Sequence, residues 1–216
     1  MSEILEKALL LKQLYLRKLC GESYCQNINF APKKPIVSDK SKMTLEQIIE
    51  NCALCELSKS ANGKSIGQIR ADSQICFITL KPIAPYSASF EMIENIAKRV
   101  FGVETYSLLS LIKCDTHIQS SATHAKICLE YLQTQLGQLK NAKLFVLFGE
   151  EVARFVLHSD ESLEHLRGRI LNNTNKRDFI VTFHISDLLK NQSLKKLAFS
   201  DFQVAKDYLS KKLGEK

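Results

Sequence analysis

The sequence predicts an α/β protein: a three-layer α/β/α sandwich around a central, mostly parallel four-stranded sheet, preceded by an N-terminal helical extension. Three observations carry this. Apolar runs rich in β-branched and aromatic residues, at 75–80, 106–112, 144–148 and 179–183, have the unbroken character of strands buried on both faces. Stretches with helical spacing separate or follow them, at 90–101, 122–139, 150–157 and 194–213, and strands alternating with helices argue for parallel pairing. A chain of 216 residues also suits one such domain with a small appendage, and its core needs no disulfides.

Taken in order, the first element is a helix over 4–19. Leu5, Leu9, Leu16 and Leu19 recur with helical spacing while Lys7, Lys12, Arg17 and Lys18 supply polar positions. Its apolar stripe is expected to dock on the domain rather than on a membrane surface. Gly21 is read as its stop, and 26–42, with two prolines and Lys33-Lys34, has the composition of a tether. Residues 1–43 therefore read as helix and linker, and 44–216 as the domain. Thr44 and Glu46 signal a short helix over 44–53 that runs into Cys52. The first strand, ICFITL, ends in a proline-containing loop. In parallel sheets ligands bind beyond the carboxyl ends of the strands, so the loops beginning at Lys81, Lys113, Gly149 and His184 are where a site is expected.

Composition narrows the classes further. Thirty Lys and Arg against 23 Asp and Glu give a formal charge of +7, with a pI near 9.0, which permits a phosphate-backbone partner. Seven cysteines are an odd number, no N-terminal run resembles a signal peptide, and no apolar stretch approaches the ~20 residues that span a bilayer. The expectation is a reduced cytoplasmic protein with no membrane span, a monomer.

Four of the cysteines form a set. Cys52 and Cys55 are two residues apart, and Cys114 and Cys128 follow with thirteen residues between them. Four cysteines hold tetrahedral zinc or an iron-sulfur cluster, and spacing alone does not choose. A competing zinc set is Cys20, Cys25, Cys52 and Cys55. Cys76, inside an apolar run, reads as a buried small residue.

The residues around these cysteines, and four further segments in order, carry a resemblance. Cys52-Ala53-Leu54-Cys55-Glu56-Leu57, Gly67 before the first strand, LIKC ending at Cys114, Cys128 in the next helix, LFVLFGEEVARFVL from Leu144, Leu166-Arg167-Gly168-Arg169, and His184-Ile185-Ser186-Asp187-Leu188-Leu189-Lys190-Asn191 together resemble the iron-sulfur (family 4) uracil-DNA glycosylases. The likeness covers about residues 45–213. It implies a [4Fe-4S] cluster on Cys52, Cys55, Cys114 and Cys128, a DNA partner, and hydrolysis of the N-glycosidic bond of uracil or a related damaged base. Such enzymes extrude the nucleotide and stabilise a departing anionic base. The resemblance makes His184 the hydrogen-bond donor to that base and Leu188 the wedge that fills the vacated duplex. Lys190, Lys195, Lys196, Arg167 and Arg169 are candidate phosphate contacts, set against the plainer reading of a solvated basic face. Asp187 fits a helix cap as well as an assisting role.

The chain also departs from the family. Where relatives carry Gly-Glu-x-Pro-Gly after the first strand, with a carboxylate that positions water, it has Thr79-Leu80-Lys81-Pro82-Ile83. The aromatic that stacks on the base has Tyr86 or Phe90 as substitutes, the asparagine that reads its edge is Ser110, and the proline after His184 is Ile185. Two expectations follow. One is a glycosylase whose water is held by Ser110 or Thr79; the other is a non-catalytic iron-sulfur module that binds DNA or a partner.

Overall fold

The computed structural model describes residues 3–19, 43–173 and 177–214. The chain divides into two compact units, Met1–Lys42 and Met43–Lys216. In the first, helix α1 spans Glu3–Leu19. The predicted stop at Gly21, the tether over 26–42 and the Cys20–Cys25 half of the alternative zinc set lie outside the described residues.

The second unit opens with α2 (Leu45–Glu50) and α3 (Leu57–Ser60), then β1 (Gly63–Lys64). The α2 start is a capping box between Thr44 and Gln47, not Thr44 and Glu46: Gln47, three residues on, is the position whose side chain reaches back to the Thr44 amide. Then come β2 (Ile75–Thr79), α4 (Ala88–Asn95), a π-helical turn (Ile96–Phe101), β3 (Ser107–Ser110), β4 (Cys114–Asp115) and α5 (Ala122–Gln138). The chain continues through β5 (Leu144–Phe148), α6 (Glu150–Leu157), α7 (Leu163–Leu166), β6 (Ile170–Asn172), β7 (Asp178–Thr182), α8 (Ile185–Lys190) and α9 (Gln192–Gly214).

The main sheet has the order β3-β2-β5-β7-β6. The four predicted strands are all present and all parallel, and every residue of each is buried. The sheet has five strands rather than four, because the short β6 adds antiparallel to β7 at the edge. β1 and β4 form a separate two-stranded ribbon.

Alternation along the buried strands divides the core into two layers. Cys76, Ile78, Phe145, Leu147, Phe179 and Val181 pack into one cluster with α5 and α6, while Ile75, Phe77, Val146, Phe148 and Ile180 pack with α4, the π turn, α8 and α9. Opposite sides of each strand thus bury against opposite helical layers, the period-2 consequence of pleating. Phe77, Phe101, Phe148 and Phe202 stack edge-on or tilted at centroid distances of 6.0–6.3 Å, filling the second layer. The predicted helix over 90–101 begins earlier, because Ser87 Oγ accepts the Phe90 amide as an N-cap, and its last turn is π-helical, ending at Gly102 in the left-handed region. Among the described residues no helix is long and apolar enough to cross a membrane.

Candidate functional site

A cavity of about 140 Å³ opens at the carboxyl ends of β2 and β3. Its size is close to the ~150 Å³ of an engineered cavity that holds one benzene ring. Thr79 and Ser110 are register partners across β2 and β3, so both predicted hydroxyls reach this edge side by side. They are not equivalent. Thr79 Oγ1 donates to the carbonyls of Lys81 (2.8 Å) and Leu109 (3.3 Å), closing the turn out of β2. Ser110 is buried, and its Oγ is the one buried side-chain polar atom without a hydrogen-bond partner among the described residues. An orphaned buried hydroxyl costs about 1–3 kcal/mol, a cost that a ligand group in the cavity would relieve.

Phe90, in the first turn of α4, supplies an aromatic wall. Tyr86, the other predicted stacking residue, does not: it is 99% exposed in the loop before α4, at a φ of 62°. Pro82, Ile83 and Pro85 from the loop after β2, and the segment through Gly67, line the rest. Gly67 (φ +86°) runs against β3, and a Cβ there would lie 2.5 Å from the Leu108 carbonyl oxygen. Reciprocal bonds between Gln68 and Leu108, at 2.7 and 2.9 Å, hold the segment in place. A buried lysine braces it from behind. Lys113 Nζ donates to the Ser110 carbonyl and to Gln135 Oε1, and Gln135 Nε2 donates to the Ile66 carbonyl. Burial lowers the Lys113 pKa to about 7, with the Cys128 and Cys76 thiols opposing the shift. Gly67→Ala is expected to lower Tm by about 2–12 °C, from ~1–3 kcal/mol of backbone strain, and to weaken any ligand of the cavity; a thermal melt of the variant checks it.

Lys81, next to Leu80 where a carboxylate was sought, points elsewhere. Its ammonium donates to the carbonyls of Thr116 (3.1 Å) and Ile118 (2.7 Å), tying the loop after β2 to the loop after β4.

His184 stands at the carboxyl end of β7 and caps α8. Its Nδ1 accepts the Ser186 amide at 3.2 Å and lies 2.8 Å from Ser186 Oγ. A ring nitrogen that accepts an amide carries no proton, so the neutral ring has its hydrogen on Nε2 as a donor. Burial lowers the His184 pKa; Asp187 opposes the shift and Lys190 adds to it. Gly149 (φ +99°) allows the ring its position, since a Cβ there would be 3.3 Å from His184 Cδ2. Two residues on, in the first turn of α6, is a carboxyl the sequence reading passed over. Glu151 is half-buried at this same edge of the sheet, its pKa raised by burial and opposed by Arg154 and Lys81.

Two predicted contacts are held inside the fold. Leu188 is 2% exposed and belongs to the core, so it is not the wedge; the next residue, Leu189, is the exposed one at 36%. Ile185 is likewise buried, the helical i, i+3 partner of Leu188. Arg167 forks onto Asp201 with contacts of 3.0–3.2 Å, donates to the Leu197 carbonyl and lies 4.6 Å over the Phe183 ring. Its guanidinium is therefore committed inside the fold. Arg169 pairs with Glu161 at 2.8 Å on the surface, a contact worth little in water. Lys190, Lys195 and Lys196 remain exposed.

The four cysteines are drawn into one neighbourhood by separate ties. β1 pairs with β4, setting Lys64 opposite Cys114, and Lys64 Nζ donates to the carbonyls of Glu50 and Cys52. Tyr131 on α5 donates from its hydroxyl to Cys52 Sγ at 3.4 Å, one turn beyond Cys128. Burial raises the Cys114 pKa to about 11, and the Cys128, Cys55 and Cys52 thiols add to the shift. Cys128 is raised mainly by burial too, with Cys55 and Cys52 contributing. The thiols thus feel one another, although among the described residues no three Cys, His, Asp or Glu side chains close into a ready-made metal cage. Two buried cysteines, Cys114 and Cys128, and two half-buried ones, Cys52 and Cys55, are the soft donor type that a thiolate-bound metal group takes. Cys76, fully buried in β2, is not one of them: burial drives its thiol pKa strongly upward, as for an inert core residue.

Residues 66–206 match the family model described as Uracil DNA glycosylase superfamily. No curated protein matches the chain.

Proposed function

Because this chain belongs to the uracil-DNA glycosylase superfamily, we propose that it is a DNA glycosylase that takes an extruded pyrimidine base, uracil or a damaged relative, into the cavity between β2 and β3 and hydrolyses its N-glycosidic bond. One observation carries the reading: a cavity near the size of a single ring, walled by Phe90 and holding the unpartnered Ser110 hydroxyl, opens at the carboxyl ends of β2 and β3, and His184, although not among its lining residues, presents a neutral imidazole after β7 at the same end of the parallel sheet. In this reading Phe90 stacks on the base and Ser110 hydrogen-bonds its edge. His184 donates from Nε2–H to the base as negative charge develops on it, the electrostatic assistance that lowers such barriers. Thr79, its hydroxyl proton already given to carbonyls, shapes the turn that holds the water side of the site. Glu151 is the carboxyl closest in kind to the group missing from the β2 loop. Release of base from a labelled uracil-containing single strand, read after alkaline cleavage, tests the proposal, and intact protein that releases none overturns it.

A second reading has a specific observation behind it. Leu80 stands where the carboxylate is expected and the neighbouring Lys81 is fastened away from the cavity, which suits a relative that binds DNA without cutting the bond. Tight binding without release in the same assay selects it.

Cys52, Cys55, Cys114 and Cys128 would hold the [4Fe-4S] cluster. Such a group, when bound, joins the α2–α3 turn to β4 and α5 as a covalent staple, and its loss is a loss of folding free energy. Protein purified without oxygen is expected to carry about four iron atoms per chain. Cys114→Ser should lose both the visible absorption and most of the soluble yield. Cys20→Ser with Cys25→Ser should lose neither; zinc in place of iron, removed by that pair of changes, would favour the alternative set.

A further inference from the structure

A second cavity, of about 370 Å³, lies at the opposite end of the sheet. Lys143 on its wall immediately precedes β5 and Asp178 opens β7, whereas Ser110 closes β3 and His184 follows β7, so the length of the sheet separates the two cavities. We infer that this second cavity is a binding site for a small phosphate-bearing anion of the size of an inorganic or nucleoside triphosphate.

The charge balance points there. Lys140, Lys143, Arg177 and Lys212 line the cavity against the single carboxylate of Asp178. That carboxylate is 4% exposed and already accepts from Asn172 Nδ2, Tyr208 OH and Lys212 Nζ. It fixes Lys212 against the wall, with the Tyr208 hydroxyl 3.1 Å from the same ammonium. Among the described residues none of Lys140, Lys143 and Arg177 has a carboxylate within ion-pair distance. Three uncompensated cations thus share one concavity. The C-termini of α5 and α9 come near, and each carries about half a negative charge, so together they offset only one of the three. The buried Leu136, Leu139 and Phe145 also line it. Low-dielectric walls under convergent cations focus the field into the cavity. A volume near the ~300 Å³ lower end of small-molecule sites suits a compact polyanion, and the planar Arg177 fork suits phosphate oxygens.

Isothermal titration calorimetry of the full chain with inorganic triphosphate, and separately with ATP, tests the assignment. At low salt both are expected to bind with one site per chain, more weakly as salt rises. Lys143→Gln with Arg177→Gln should weaken binding roughly tenfold or more, while Lys143→Arg with Arg177→Lys should retain most of it. Base release from the uracil-containing strand should be the same in all three proteins, which separates this site from the glycosylase reading: loss of one leaves the other standing. ATP bound without triphosphate would show that the nucleoside, in addition to the phosphates, is recognised here. No heat from either ligand, or equal affinity after both glutamine substitutions, overturns the inference. So does binding of a single-stranded oligonucleotide that the two substitutions abolish while the small anions give no signal.

Discussion

His184→Ala is expected to slow base release by about 100- to 1,000-fold while leaving the affinity for uracil-containing DNA nearly unchanged. The magnitude is that of removing one preorganised donor aimed at developing negative charge. Affinity should hold because the interaction strengthens only as the glycosidic bond breaks, so its loss appears in the chemical step. Single-turnover release checks the first half and fluorescence anisotropy the second; equal release by the variant removes His184 from the mechanism. The tautomer adds a pH signature. Nδ1 accepts the Ser186 amide, and burial holds the His184 pKa below its ordinary value of about 6.5. The neutral donor therefore persists as pH falls through ~6.5, and release should stay level there, declining only further into acid. Stability follows the same sign. The unfolded chain binds the proton first, so the contribution of neutral His184 is complete above ~6.5 and is lost as pH falls toward the folded value.

Much of the architecture was legible because the strands are buried on both faces. ICFIT, SLLS, LFVLF and DFIVT have no exposed residue, and such strands announce themselves as continuous apolar runs whatever their neighbours. β6, β1 and β4 were not legible, for a reason of length. Two or three residues carry no periodic signal, and Ile170–Asn172 is a half-exposed edge defined by its pairing with β7. The π turn is likewise invisible, since its apolar positions fit an α-helix equally well.

For the site, the candidates whose place in the fold the sequence reading could locate are those fixed by a strand end. Ser110 and Thr79 had to emerge at the carboxyl edge once β2 and β3 were parallel, and His184 once β7 was recognised. Those it misplaced depend on which face of a helix or loop a side chain takes. Leu188 and Leu189 differ by about 100° around α8, and that rotation separates the core from solvent. Tyr86 and Phe90 are four residues apart, yet only the one inside α4 is held against the cavity. Lys113 was noted only as the start of a loop, and its partners Ser110 and Gln135 show it to be a buried brace.

Arg167 shows the same limit and sets up the largest expected effect on stability. Its partner Asp201 is 34 residues downstream on α9, beyond the reach of any local pattern. The side chains of Arg167 and Asp201 are 19% and 3% exposed, and Thr182 Oγ1 donates to Asp201 Oδ2 at 2.9 Å, so the carboxylate is fully enclosed by donors. Arg167→Met leaves that charge buried without its cation, which costs about 3–5 kcal/mol, or ~6–20 °C in Tm for a chain of this size. Adding Asp201→Leu should recover most of the loss, because replacing both members of a buried pair by apolar groups is close to neutral. Burial already raises the Asp201 pKa, against the pull of Thr182 and Arg167. Without the arginine it rises further, and a carboxyl with a raised folded pKa loses stability as pH increases. The deficit of Arg167→Met should therefore shrink as pH is lowered toward 5. A phosphate contact predicts the opposite pattern: an unchanged melt, and a salt dependence of DNA binding reduced by about one phosphate's worth. The guanidinium also lies against Phe183, the residue before His184, so under the proposed glycosylase function the change reaches the turn that carries that histidine. In the single variant base release should fall with the loosened β7–α8 turn, and in the double variant it should recover with the melt only as far as the apolar pair restores that packing.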